Sequence, residues 1–270
     1  MARQATKGQT RGESTYHTRA VSRALQILGS FTVQDIELSV SDLHEKLGIH
    51  KSTLVRLLQS MAAERFIEQN PETGKYRLGI RTFEIGSIYL RTRMMNMGSL
   101  ARPYMQRLAA NLRLSANLAI RDGHEIVYIE AVEPVGSPLR VSYSAGERFG
   151  VYHTALGKSM IAFLPADELE GVLAKIDFVP LTPRTIVSAE KLAEELSEVR
   201  ERGYAVDDEE SLPGLRCASA PVWNSEKVVA ALSASGSTLL VTRERVDEIA
   251  RAVIETTKSI SAQLGGESRT

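Results

Sequence analysis

The sequence predicts an α+β protein in two parts: a winged helix-turn-helix in front and, behind a linker helix, an antiparallel sheet with helices at its faces. Three observations predict it. Two short helical patterns joined by a Gly-containing turn are followed by two strand-like runs around NPETG. From residue 116 onward strand and helix patterns mix, beginning with the hairpin signal Asp122-Gly123. The chain is neutral overall, yet residues 1 to 95 carry 14 Lys and Arg against 9 Asp and Glu, and the remainder carry 19 against 24.

The first 17 residues are rich in Arg, Lys, Thr, Gly and Gln without apolar periodicity and are expected to form a mobile arm. TRAVSRALQILGSF, 18 to 31, places Val21, Leu25, Ile27, Leu28 and Phe31 along one side at helical spacing. In SVSDLHEKLG, Ser39 caps a second helix with Asp42 three residues on, Leu43 and Leu47 face inward, and Gly48 supplies the stop. KSTLVRLLQSMAAERF begins a third helix with Leu54, Leu57, Leu58 and Met61 on its apolar face. The hairpin FIEQNPETGKYRLG completes a domain over 18–80. Residues 80 to 115 read as largely helical, interrupted near Gly98 and Pro103. Ile85, Ile88, Tyr89 and Met94 form a stripe that suits a self-associating linker helix over 81–97 and equally an ordinary core helix.

The second domain spans 98–266. SANLAIRDGHEIVYIEAVE predicts a hairpin and LRVSYS, 139 to 144, a further strand. Helices are expected in ALGKSMIAFL, DELEGVLAKI and SAEKLAEELSEVRERG, a strand pair in CASAPVWN and KVVAALSASGS, and a long terminal helix in TRERVDEIARAVIETTKSISAQLGG.

Composition narrows the function. A hydrophobic share of 43% and a charged share of 24% are ordinary for a globular protein. Apolar runs such as VVAAL fall far short of the roughly 20 residues that cross a bilayer, and MARQATKGQTRGESTYH lacks the apolar core of a secretory signal, so a cytoplasmic location without membrane contact is expected. Cys217 is the one cysteine, which excludes an intrachain disulfide.

A helix-turn-helix packs the Leu side of its last helix inward and leaves the N-terminal polar side to enter a major groove or to be solvated. His50, Lys51, Ser52, Thr53 and Arg56 are the side chains placed to reach bases or phosphates of double-stranded DNA, with Lys75 and Arg77 on the wing. In the second domain, ALGK opens a helix whose first N–H groups, at Ala155 and Leu156, are unpaired donors suited to an anion. Ser233 and Ser235 alternate by two on a strand and share one face, which on spacing alone fronts a pocket or solvent.

These stretches resemble the IclR type of bacterial transcriptional regulator. KSTLVRLLQSM followed by NPETGKYRLG, then HTALGKSMIAFL, GYAVDDEES and GLRCASAPVW, carry the resemblance in order over about 18 to 265. It implies a GAF-like effector-binding second domain, assembly as a homodimer or dimer of dimers, and a regulator, a repressor rather than an activator, that answers to a small organic acid. It further implies that Asp207, Cys217, Ser233 and Ser235 line one pocket with Ala155 and Leu156. Where the family runs Pro-x-His-x-Thr-Ala-x-Gly-Lys, this chain reads GVYHTALGK, with Tyr152 at the His position and His153 displaced by one. That change places Tyr152 and His153 among the effector contacts and brings aromatic acids beside aliphatic keto acids as candidates.

An enzyme is not expected. Cys217 lies in a strand-like run, SASGS lacks the order of a nucleophile elbow, and there is no Walker loop or His-Glu-x-x-His. Neither a cofactor nor a metal is expected: His124, His153 and Cys217 have no ligand spacing.

Overall fold

The computed structural model describes residues 18–32, 34–89, 97–134 and 143–266, and the chain divides after Thr92 into two compact units. The expected arm at 1–17, the end of the linker helix and most of the strand at 139–144 lie outside the described residues; Tyr143 and Ser144 belong to no strand.

In the first unit, helices α1 (Arg19–Leu28), α2 (Val40–Leu47) and α3 (Lys51–Ala63) precede strands β1 (Ile67–Gln69) and β2 (Tyr76–Leu78) and helix α4 (Ile80–Tyr89). Ser39 starts α2 through a reciprocal box: its hydroxyl accepts from the Asp42 N–H at 3.1 Å, and the Asp42 carboxylate accepts from the Ser39 N–H at 2.8 Å. Gly48 ends the helix at φ 65°, a conformation that favours glycine. Leu43, Leu54, Leu58, Ile67 and Ile27 form the core, closed by Tyr76. The wing is tied to the body because Leu38 exchanges two backbone hydrogen bonds with Tyr76, at 2.9 and 2.8 Å.

α1 departs from expectation. Ile27 is buried with Ala24, Leu28 and Phe31 against it, whereas Val21 and Leu25 are 57% and 62% exposed. The helix is apolar on two sides, and only one faces this core.

The second unit contains α5 (Met97–Leu112), β3 (Ser115–Asp122), β4 (Glu125–Val132), β5 (Arg148–Gly150), α6 (Ala155–Ile161), α7 (Ala166–Leu173), α8 (Ala189–Arg202), β6 (Ala205–Asp208), β7 (Leu215–Trp223), β8 (Val228–Ser237) and α9 (Val246–Gln263). The strands make one antiparallel sheet of order β5-β4-β3-β8-β7-β6. The predicted hairpin forms with Gly123 at φ 65°. α5 runs unbroken through Gly98 and Pro103, correcting the expected interruptions. Pro103 lacks only the N–H that would bond to Ser99, and burial of Ala101, Met105, Leu108 and Ala109 outweighs that loss.

The sheet is covered on both sides. Ala116, Leu118, Ala218, Ala220, Leu232 and Ala234 point to α5 and α9. The alternate residues point to the layer of α6 and α8, where Ile126, Leu156, Ile161, Leu192 and Leu196 form a second core. α6 lies so close that a Cβ on Gly157 would stand 2.3 Å from the Val151 Cα.

Gly157→Ala is expected to destabilise this unit by about 1–3 kcal/mol, the ordinary cost of overpacking. Gly171→Ala, on α7 with nothing within 4 Å of the point where its Cβ would stand, is expected to be neutral or stabilising by up to about 1 kcal/mol. Urea unfolding followed by the fluorescence of Trp223, the one tryptophan, separates the two; equal stability of both variants would show that the α6 contact gives way freely.

Candidate functional site

The N-terminal end of α3 presents one polar side. Leu54, Leu58 and Met61 bind its opposite side to the core, so His50, Lys51, Ser52 and Arg56 are exposed and Thr53 is half-buried. Lys51 Nζ donates to Ser41 Oγ at 3.0 Å, which holds its ammonium over the start of α2. Arg56 has no ion-pair partner among the described residues. On the wing, Lys75 is exposed, but Arg77 is engaged: its Nε donates to Glu68, its register partner on β1, at 2.6 Å, and Glu37 lies 3.9 Å from its guanidinium. The guanidinium is therefore partly neutralised on the protein itself.

In the second unit, a small cavity lies between the sheet and the start of α6. Its walls are Tyr128, Tyr143, Phe149, Thr154, Ala155, Leu156, Asp207, Ser211, Cys217, Ser233 and Ser235. The free space is about 10 Å³, on the order of one water molecule. Register explains the polar wall. Ser115, Ser235, Cys217 and Asp207 are consecutive cross-strand partners on β3, β8, β7 and β6. Because strand side chains alternate, all four share the α6 side of the sheet.

Asp207 has both carboxylate oxygens occupied. Oδ1 accepts from the Glu210 and Ser211 N–H groups at 2.8 and 3.2 Å, and Oδ2 accepts from the Ser211 hydroxyl. It therefore shapes the loop that brings Ser211 to the cavity. Glu209, at φ 62°, is the strained position of that loop; its carboxylate accepts from the Gly214 N–H at 2.9 Å. Behind the cavity wall, Lys158 of α6 is 1% exposed and donates to Glu210 at 2.5 Å, with Glu195 of α8 at 3.8 Å. A buried ammonium requires such partners. Burial raises the pKa of Asp207 against the lowering effects of Ser211 and Lys158, raises Glu210 to about 7, and holds the Cys217 thiol well above its ordinary value. Tyr128 and Tyr143 are likewise pushed up by burial and stack at 4.3 Å, with Phe149 edge-on to both.

Of the expected effector contacts, Ala155, Leu156, Asp207, Cys217, Ser233 and Ser235 lie together on this cavity. Tyr152 and His153 do not. The Tyr152 hydroxyl donates to the Val179 carbonyl at 2.9 Å and accepts from the Val179 N–H at 3.1 Å. His153 Nε2 accepts from the Gly150 N–H at 3.1 Å, and burial lowers its pKa to about 4. Both side chains anchor the entry to α6. The first turn of that helix is closed by Thr154, whose hydroxyl accepts from the Gly157 N–H at 3.1 Å. Sequence reading did not single out Tyr128, Tyr143, Phe149, Thr154 or Ser211. Thr154 was detectable as the capping Thr before ALGK; Tyr128 and Phe149 come together only through the β4–β5 pairing, and Tyr143 joins them from outside any strand. Among the described residues, no group of three His, Cys, Asp or Glu side chains could hold a metal ion, and no helix is long and apolar enough to cross a membrane.

Comparison with known proteins covers both units. Residues 20–71 match the family described as the IclR helix-turn-helix domain, and residues 90–262 the family described as bacterial transcriptional regulator IclR C-terminal. The HTH-type transcriptional regulator XynR of Escherichia coli is 40% identical over 85% of this chain and 88% of its own length. The HTH-type transcriptional repressor AllR of Klebsiella pneumoniae is 34% identical over 96% and 94%. Among solved structures, the Thermotoga maritima IclR superposes with a TM-score of 0.72 at 30% identity, covering 92% of this chain and 100% of that one.

The buried charges predict a pH dependence. The folded pKa of Glu210, about 7, lies above its ordinary 4.5, so its contribution to stability is full below about 4.5 and is lost as pH rises to about 7. His153 acts oppositely: with a folded value of about 4 against 6.5, its contribution is full above 6.5 and is lost as pH falls to about 4. Glu210→Gln removes only the first. The stability of the variant relative to wild type is expected to grow between pH 4.5 and 7 and to level off on either side, read by urea unfolding at several pH values. A difference independent of pH would show that the Glu210 carboxylate is held at no cost.

Proposed function

Since this chain belongs to the IclR family of bacterial transcriptional regulators, we propose that it is an operator-binding repressor whose affinity for DNA is set by a small organic acid held in the α6 cavity. The family consists of DNA-binding regulators with a C-terminal ligand-binding domain and is not enzymatic. The observation that carries this proposal is the small cavity that gathers Ser233, Ser235, Ser211, Thr154 and three aromatic rings where the helix face alone would require only apolar packing.

Aliphatic keto acids and aromatic acids both suit this lining: hydroxyls hold the carboxylate and the Tyr128, Tyr143 and Phe149 rings bound the organic part. AllR is a repressor by name, which supports the sign of regulation. The protein acts in the cytoplasm, where its DNA partner is.

The working form is a homodimer or a dimer of dimers. Val21 and Leu25 of α1 are exposed, and α4 exposes Phe83, 69% accessible, and Ile85. Such apolar surface on a small domain supports self-association. Two recognition helices then address half-sites about 34 Å apart, or a multiple of that spacing. Effector and DNA affinities are coupled reciprocally, typically by about 1–3 kcal/mol.

Two substitutions test this. Arg56→Ala is expected to weaken binding to DNA upstream of the protein's own gene by roughly tenfold or more at fixed salt, measured by fluorescence anisotropy; unchanged affinity would remove Arg56 from the DNA contacts. Ser235→Ala is expected to blunt the change in DNA affinity produced by a bound acid found in a thermal-shift screen, while DNA binding without that acid stays at the wild-type level. A full response in this variant would place the effector elsewhere.

A further inference from the structure

The cavity proposed to hold an organic acid offers that acid no counter-charge. Among the described residues that line it there is no lysine, arginine or histidine, and its one carboxyl group, Asp207, has the same sign as the ligand. Behind the wall, Lys158 of α6 is buried and acts on two buried carboxyls, Glu210 at 2.5 Å and Asp207. Glu195 of α8 lies 3.8 Å from the ammonium but is matched by Arg202 at 2.7 Å. The other ionisable groups nearby are neutral: burial keeps the proton on the Cys217 thiol and on Tyr128 and Tyr143, and keeps the His153 imidazole uncharged. From the loop opposite, Thr182 and Thr185 reach only the Glu210 carbonyl, and Arg184 pairs with Asp208.

Two buried carboxylates beside one ammonium leave a negative charge in excess, and burial makes that excess costly. Hydrogen bonding decides which carboxyl gives it up. Asp207 accepts from the Glu210 N–H, the Ser211 N–H and the Ser211 hydroxyl, which favours its charged form. Glu210 has Lys158 on Oε1, but its Oε2 is buried without a partner. The proton of the pair therefore settles on Glu210, in keeping with its titration at about 7. An incoming carboxylate adds a further negative charge to the same space, and a like charge favours the protonated form.

Resting on the reading of this cavity as the effector site, we infer that the effector binds as an acid anion together with one proton, which Glu210 takes up. The proton returns the buried charge to its value before the ligand arrived. It also weakens the hold of Glu210 on Lys158, so the step that admits the ligand loosens the tie between the Ser211 loop and α6. The protein thus responds to the acid and to pH together. At about pH 6 Glu210 is protonated with or without ligand, and affinity is insensitive to pH. Above about 7 the free protein has lost that proton and the complex retains it, so affinity falls by up to about tenfold per pH unit.

The test uses the full-length protein and whichever of pyruvate, 2-oxobutyrate, benzoate and phenylacetate binds in the thermal-shift screen. Each is ionised throughout the range from about pH 6 to about pH 8. Calorimetry at about pH 8 in HEPES and in Tris, buffers with different heats of ionisation, is expected to give binding heats that differ by the uptake of close to one proton. Affinity is expected to be roughly tenfold weaker at about pH 8 than at about pH 6. Glu210→Gln, permanently neutral, is expected to bind equally well at both values and with the same heat in both buffers. Identical heats and a flat affinity in the wild type overturn the inference while the cavity remains the effector site. Proton uptake that persists in Glu210→Gln overturns the assignment to Glu210; should that variant not fold, the wild-type comparison decides. If none of the four acids binds, the effector reading of the cavity falls and the inference with it.

Discussion

The second unit depends on a sheet buried on both faces. All nine residues of β7, from Leu215 to Trp223, are buried, so the strand cannot separate a wet face from a dry one. Its alternation sets small apolar against small polar residues: Ala218 and Ala220 on the α5 and α9 side, Cys217 and Ser219 on the α6 side. Small side chains leave room for α6 over this face, and Gly157 of α6 packs on the Val151 backbone of the segment that leads into the helix. That closeness buries Lys158, which then requires Glu210. The pairing fixes the loop after β6, where Asp207 and Ser211 complete the cavity. One packing constraint thus leads to the shape of the site and to its unusual carboxyl groups.

The first unit follows a different logic. Its core is small, and local devices carry much of the definition: the Ser39–Asp42 box, the left-handed Gly48, and the Leu38–Tyr76 bridge that joins the wing to the helices. Each is worth on the order of 1 kcal/mol, a large share of the stability of so short a domain. The consequence for function is a rigid base beneath α3, so that its exposed end is oriented by the Leu54, Leu58 and Met61 contacts and not by its own polar side chains.

Much of this was legible in the sequence. Caps, turn glycines and periodicity located the three front helices, the NPETG hairpin and the Asp122-Gly123 turn because these are local signals. The apolar stripe of α1 misled: Val21, Leu25, Ile27 and Leu28 cannot all face one core on a 100° rotation per residue, and the structure resolves them into two sides. β5 and β6 are only three and four residues long, too short for a period to emerge. Of the cavity, the pair Ser233 and Ser235 was visible as an alternation, and the joining of Asp207 to Cys217 came from resemblance. Tyr128 and Phe149 could not be read, because they meet through the β4–β5 ladder and not through spacing. Tyr152 and His153 were placed by motif position, yet their hydrogen bonds go to Val179 and Gly150.

A ligand shifts an equilibrium only by binding two arrangements differently. The sheet wall is a poor candidate for rearrangement: Ser115, Ser235, Cys217 and Asp207 are held in register across four strands, and moving one residue's registration would turn every side chain to the other face. The opposite wall is built otherwise. Ser211 hangs on a loop with Glu209 in a left-handed conformation, and Tyr143 belongs to no strand or helix. With so little free space between the walls, an effector of several heavy atoms held there, as proposed above, would have to displace those two side chains and leave the strands in place. On that proposal the polar row of the sheet is the fixed template against which a ligand would be read. The Ser211 loop, tied through Glu210 to Lys158 of α6 and onward to Glu195 of α8, is on the same proposal the part placed to pass occupancy to the helical layer.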